Sequence, residues 1–229
     1  MSTPASDKQQ STLDQPLAAS TFASAQANSA VSMPLGESGE LLSRPGVMPA
    51  MDSSSPFRID VNPAIHLSEI RADDEAAFVR HLNDEAIYRQ TLRIPFPYSQ
   101  ADAAKFIQIA ASATARHGHP VHFAVRDSAD RLIGGCGFDG LAYSHRAEIG
   151  YWLAKEYWGQ GIMTDVVRAA CGFAMEQWKL VRITAHVFDF NIASARVLEK
   201  CGFTLEGFLR KHHRKDGAFI NSKLYGLVH

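Results

Sequence analysis

Ala147-Glu148-Ile149-Gly150-Tyr151-Trp152-Leu153 runs, after two residues, into Glu156-Tyr157-Trp158-Gly159-Gln160-Gly161. A helical pattern follows at once, with Met163, Val166, Val167, Ala170, Phe173 and Ala174 recurring near the 3.6 period over residues 161–178. The first stretch alternates as a strand does: Glu148, Gly150 and Trp152 share one face, and Ile149, Tyr151 and Leu153 the other. Two glycines let the main chain turn tightly and come close to a ligand. The amides freed at a helix N-terminus point outward, with the positive end of the helix dipole behind them. Strand, glycine loop and helix together predict a site for phosphate or pyrophosphate. A Gly-x-Gly pair alone is more often a plain turn, so the surrounding pattern has to decide.

Upstream of this segment the chain is β-rich. His122-Phe123-Ala124-Val125-Arg126 is strand-like, Asp127-Ser128-Ala129-Asp130 is a turn, and a second strand starts at Leu132. Gly134-Gly135-Cys136-Gly137 predicts a bent strand or a close approach of backbones. With the strand ending at Leu153 these make three consecutive strands with short connections, hence antiparallel. Earlier still, Ile65 to Arg71 alternates, and Asp73 or Asp74 can cap a helix bearing Ala77, Phe78 and Leu82. Residues 93–98 are too proline-rich for helix. Ser99 and Asp102 form a capping box before a helix carrying Phe106, Ile107, Ala110 and Ala111. Downstream, residues 181–188 predict a strand, Ile192 to Lys200 a short helix stopped by Gly202, and residues 204–212 and 218–227 two strands joined at Asp216-Gly217. The fold class is α/β (α+β): a mixed, mostly antiparallel sheet with one βαβ crossover and flanking helices.

The chain of 229 residues has 23 Lys+Arg against 24 Asp+Glu. So even a balance removes the electrostatic basis for nucleic-acid or anionic-membrane binding. No apolar run approaches the roughly 20 residues of a membrane helix. Cys136, Cys171 and Cys201 form no CxxC pair and no zinc spacing; they read as reduced thiols of a cytoplasmic protein. Residues 1–55 hold 12 Ser and 8 Ala with one aromatic, Phe22. Such a segment cannot bury enough apolar surface to offset its ordering entropy, and is expected to be a disordered tail before a domain at 56–229. Near-absence of arginine and the presence of Asp7, Asp14, Glu37 and Glu40 argue against a transit peptide. A functional start at Met48 or Met51 is the alternative. His117-Gly118-His119-Pro120-Val121-His122 lacks an accompanying carboxylate or cysteine at ligand spacing, so a loop with incidental histidines is expected and no metal.

A nicotinamide fingerprint needs a third glycine, but Thr164 stands there, and a Rossmann unit would open a parallel sheet rather than follow antiparallel strands. The chain instead resembles the GNAT superfamily of acetyl-CoA-dependent N-acetyltransferases over about residues 60–229. The family's cofactor loop reads Gln/Arg-x-x-Gly-x-Gly/Ala; here it reads Glu156-Tyr157-Trp158-Gly159-Gln160-Gly161, with Glu in the first place. Asn191-Ile192-Ala193-Ser194 through Gly202-Phe203 resembles the second cofactor segment. Pro95-Phe96-Pro97-Tyr98 and the run from Asp216-Gly217 to Leu224-Tyr225 resemble the ribosomal-protein (Rim) branch.

The resemblance implies that acetyl-CoA lies between splayed parallel strands, the one ending at Leu153 and the one starting near Val181. Backbone groups of Trp152 and Leu153 would pair with the pantetheine arm. The stretch Trp158, Gly159, Gln160, Gly161, Ile162, Met163 and Thr164 would hold the pyrophosphate, and Asn191 would contact the cofactor. Each has a plainer reading: Trp152, Tyr157 and Trp158 as packing residues, Asn191 as a helix N-cap. Glu148 matches a position often used as the base, with a surface-facing strand carboxylate as its alternative. Many relatives carry a tyrosine acid seven residues after the asparagine; Leu198 stands there, so Ser194 becomes the expected proton donor. His213 falls where the Rim branch can carry a carboxylate, and is either a base near neutral pH or one more group of the charged hairpin Arg210-Lys211-His212-His213-Arg214-Lys215. The implied reaction is acetyl transfer from acetyl-CoA to a primary amine, foremost a protein N-terminus. The rivals are a small amine such as a polyamine or antibiotic, and a non-catalytic CoA-binding regulator. Monomer and homodimer both stay open.

Overall fold

The computed structural model describes residues 56–229. The Ser/Ala-rich segment 1–55, with its expected disorder and the alternative starts at Met48 and Met51, lies outside the described residues. Eight strands form one sheet: β1 (Arg58–Asn62), β2 (Ile65–Glu69), β3 (His122–Asp127), β4 (Leu132–Ala142), β5 (Arg146–Leu153), β6 (Arg182–Phe188), β7 (Thr204–Lys215) and β8 (Ala218–Val228). Their spatial order is β1-β2-β3-β4-β5-β6-β8-β7. Every neighbouring pair is antiparallel except β5 and β6. Among the described residues five α-helices accompany them: α1 (Glu75–Leu82), α2 (Glu85–Gln90), α3 (Gln100–His117), α4 (Ile162–Gln177) and α5 (Ile192–Lys200). None of the helices among the described residues is long and apolar enough to cross a membrane.

The sheet is covered on both faces, and the alternation within β5 shows why. Ala147, Ile149 and Leu153 are buried in one cluster with Met163, Val166, Val167 and Ala170 of α4. The Trp152 side chain goes the other way, into a second cluster with Phe78 of α1, Ala103 of α3 and Ile87 of α2. The glycines of β4 make that possible. A Cβ on Gly135 would stand 2.5 Å from Trp152 Nε1, so only a residue without one leaves room for the indole. The close backbone approach expected at Gly134–Gly137 is therefore a seat for Trp152.

Several expectations need amending. The strand from Ile65 ends at Glu69, and β1 and α2 were not anticipated. Neither Asp73 nor Asp74 caps α1 with its side chain. Asp74 instead accepts from the Arg71 amide at 2.8 Å and from both terminal nitrogens of Arg126 at 2.8 Å. The Ser99/Asp102 capping box is present, and Gly118 ends α3 in the left-handed conformation. The histidines of 117–122 are spread over a helix end, a turn and a strand. His117 and His119 both meet the Tyr143 hydroxyl, and His119 stacks on Trp178. The three cysteines are unpaired.

Candidate active site

β5 and β6 are in register only from Arg146↔Arg182 to Glu148↔Thr184. Beyond that point β5 continues along β4 and β6 along β8, so the two parallel strands diverge. A bulge in β4 between Asp139 and Ala142 follows the Asp139↔Glu148 pair, and bulges increase local twist. Into the resulting gap opens a cleft of about 710 Å³, within the range of small-molecule sites.

One end of the cleft is the glycine loop. Gly159 and Gly161 have φ of 75° and 79°, a region in which an L side chain is strained, and Gly161 is the N-cap of α4. The cap has no side-chain partner. Thr164 and Asp165 send their amides back to the Gly161 carbonyl, whereas those of Gly159, Gln160, Gly161, Ile162 and Met163 find no acceptor among the described residues. That is the donor array a diphosphate needs. Trp158 braces the loop: its indole donates to the Leu153 carbonyl at 2.7 Å. Between Gly159 and Thr164, Gln160 alone does not line the cleft; its side chain donates to the Glu156 carbonyl instead. Arg196 and Lys200, one turn apart on α5, line the cleft as exposed cations. They escaped the sequence reading because nothing in a lone helix shows which face meets a loop forty residues earlier.

The middle of the cleft is formed where α5 starts. Asn191 caps α5, accepting from the Ser194 amide at 3.0 Å. Replacing Asn191 with alanine is expected to cost about 1 kcal/mol of stability, read from the urea midpoint; no change would show that the cap is dispensable. Ser194 Oγ meets the Tyr151 hydroxyl at 2.8 Å. Burial pushes the Tyr151 phenol far above its ordinary pKa, so it stays neutral and can act only as a hydrogen-bonding partner. This pairing was not legible beforehand, since Tyr151 and Ser194 are 43 residues apart.

The far end carries the titratable groups. Glu148 lines it together with His186, His212 and His213. His186 Nδ1 lies 3.1 Å from Glu148 Oε1. Burial opposes the charge on Glu148, but His186, Arg93 and His213 outweigh it and hold the carboxyl below its usual range. His213 is pushed down to about 4, first by burial and then by His212 and His186. Of the basic hairpin, His212 and His213 line the cleft, and Lys215 donates to the carbonyls of Tyr88 and Thr91 at 2.6 and 2.5 Å. Those contacts tie the β7–β8 turn to α2 beside the cleft. Among the described residues no group of three or more His, Cys, Asp and Glu is arranged to hold a metal.

Residues 65–204, more than half of the chain, match the acetyltransferase (GNAT) domain model. The chain belongs to the GNAT acetyltransferase family. Among curated relatives of this GNAT domain, the uncharacterized N-acetyltransferase YoaA of Bacillus subtilis is 38% identical over 104 residues, covering 45% of this chain and 59% of YoaA. The ribosomal-protein-serine acetyltransferase of Escherichia coli is 31% identical over 100 residues, covering 43% of this chain and 56% of that protein. The chain therefore spans less than two-thirds of these relatives' lengths. Among solved structures, RimL, the ribosomal L7/L12 α-N-protein acetyltransferase in complex with coenzyme A, superposes with a TM-score of 0.68 at 22% identity, over 75% of this chain and 98% of RimL. At that identity the likeness bears on the fold.

Proposed function

We propose that this GNAT domain transfers an acetyl group from acetyl-CoA to a primary amine, and that the amine is the α-amine of a protein N-terminus. The observation that carries the reading is the continuity of one cleft. It runs from five amides without acceptors among the described residues at the α4 N-terminus, through the splay of β5 and β6, to Glu148 and its histidines.

In this reading the amides of Gly159 to Met163 hold the diphosphate, and Arg196 and Lys200 add charge to it. The exposed edge of β5 beyond Glu148 offers main-chain groups to the pantetheine arm, with Trp152 and Leu153 contributing backbone rather than side chain. Glu148 draws the incoming ammonium to the far end. Once neutral, the amine attacks the thioester carbonyl; the C–N bond forms, the C–S bond breaks, and the thiolate takes up a proton. Ser194 Oγ, itself hydrogen-bonded by Tyr151, is the donor suited to that step.

The choice of an α-amine has two supports. With a pKa of about 7.8 such a group is roughly one-tenth neutral at pH 7, whereas a lysine at about 10.4 is neutral to less than about one part in a thousand. A site with a weak base set suits the former. Among the described residues the cleft also lacks the acidic lining a polycation wants: of the two carboxylates there, Asp139 is paired with Arg93 at 3.4 Å and Glu148 with His186. A curated relative named as acting on a ribosomal protein's serine fits the same class of acceptor.

The test is thiol release from acetyl-CoA, screened across N-terminal peptides, polyamines and aminoglycosides. Peptides with a free α-amine should be the efficient acceptors; release with small amines alone would overturn the acceptor assignment. CoA binding without release to any amine would leave the regulator reading. In the same assay Glu148→Gln should lower kcat by at least about tenfold with little change in the KM for acetyl-CoA, and unchanged turnover would remove Glu148 from the chemistry.

A further inference from the structure

Glu148 faces a ring that the sequence reading passed over. His186, on β6, turns Nδ1 toward Glu148 Oε1 at 3.1 Å, and its side chain is 24% exposed in the cleft wall. An ionised carboxylate only accepts hydrogen bonds, so the proton in this contact belongs to Nδ1 and the neutral ring keeps its lone pair on Nε2. We propose that His186 Nε2 takes the proton from the acceptor amine, with Glu148 as the partner that orients the ring and stabilises the imidazolium. The inference rests on the amine-acetylating reading above.

Chemistry favours the ring over the carboxylate. A general base works best with a pKa near the operating pH. A carboxyl held below its usual range is a poor match to an ammonium of about 7.8. A base held by a carboxylate through its second nitrogen is the recurring arrangement for such a role. The neighbours on every side are consistent with one proton landing here. From β7, the His212 ring lies 4.9 Å from that of His186 and the His213 ring 6.2 Å. His212 is tied by Nδ1 to Ser222 Oγ at 2.7 Å. From the segment after α2 comes Arg93, paired with Asp139 of β4. Three imidazoles this close cannot all be charged. Burial first, then the neighbouring rings, lowers the pKa of His212 and His213, and His186 is the ring that lies 3.1 Å from the carboxylate.

The protons balance as follows. The ammonium gives one to His186 Nε2, which later releases it to solvent. The neutral amine attacks, and its nitrogen loses a second proton as the C–S bond breaks. That second proton is matched by the one the thiolate receives through Ser194, so the products are the amide, the free thiol and one proton.

The experiment is a pH profile of kcat/KM with an α-amine peptide for the wild type, His186→Gln and Glu148→Gln, with acetyl-CoA affinity measured by calorimetry for each. His186→Gln should lose about 100- to 1,000-fold in kcat at pH 7 while its Kd for acetyl-CoA stays within twofold. Its remaining activity should climb with pH as the amine's own ionisation does, without an imidazole limb. Glu148→Gln should keep that limb, moved to lower pH. A His186→Gln enzyme within twofold of wild-type kcat, or one that keeps the wild-type limb, overturns the proposal. The ring's tautomer, from nitrogen-15 correlation spectra of the unmodified protein, is a readout independent of turnover: Nδ1–H is expected, and Nε2–H overturns it. A wild-type protein that acetylates no amine refutes the function itself, which these ring measurements keep separate.

Discussion

Gly161→Val is expected to give a folded protein that has lost its grip on acetyl-CoA. Gly161 sits at φ 79°, where a Cβ costs about 1–2 kcal/mol. A Cβ added there meets no protein atom within 4 Å, so the fold should survive with a lowered melting temperature. The new side chain would enter the space in front of the loop amides, and relaxation of the strained φ would turn those amides apart. Calorimetry should show Kd for acetyl-CoA raised by at least about 100-fold, about 2.8 kcal/mol at 1.4 kcal/mol per decade. A Kd within threefold of the wild type, in a protein with native circular dichroism, would mean that the diphosphate sits elsewhere.

The second large effect concerns stability. Arg126 on β3 is 1% exposed and Asp74 5%. Every N–H of the guanidinium is engaged: Nε with Ser68 Oγ at 2.5 Å, the terminal nitrogens with both Asp74 oxygens at 2.8 Å and with the carbonyls of Asp130 and Glu69. This cluster fastens the turn before α1 to the sheet, and α1 backs the wall that carries Trp152. Arg126→Met would strand a buried carboxylate, and a loss of about 3–5 kcal/mol is expected from urea unfolding. Adding Asp74→Leu should recover most of it, because removing both charges avoids the desolvation penalty. A single-variant loss under about 1 kcal/mol would show that water or a shifted partner already compensates Asp74.

The contrast between these two sites marks what a sequence discloses. The loop at 156–161 is local: two glycines, a strand before it and a helix after it lie within thirty residues, and residue order alone sets the donor array. The same holds for the Ser99/Asp102 box and the Asp216-Gly217 turn, where each motif is closed by near neighbours. Arg126 and Asp74 are 52 residues apart, and Asp74 read naturally as a helix cap because an acidic residue before an apolar pattern is common there. Glu148–His186 depends on the register of a parallel pair joined by a helix, where a shift of one residue would turn a side chain to the other face, and Tyr151–Ser194 depends on where the following helix α5 sets its first turn. His213 stood out only through the family resemblance, and His212 was hidden in a run of basic residues. The bulged register of β7 between Leu209 and His213, with Lys211 at φ 52°, accompanies their appearance in the cleft wall. α2 is six residues long, too short for its period to stand out, although Asp84 caps it through the Ala86 amide at 2.7 Å.

The central claim is that main-chain amides at the mouth of α4 hold the diphosphate of the acyl donor. It is tested most directly by titrating coenzyme A into nitrogen-15-labelled full-length protein and following the amide signals of Gly159, Gln160, Gly161, Ile162 and Met163. These should move downfield together and saturate at one equivalent, ahead of any signal from β7 or β8. Saturable binding that leaves those five signals in place, or no binding at millimolar ligand, would contradict it.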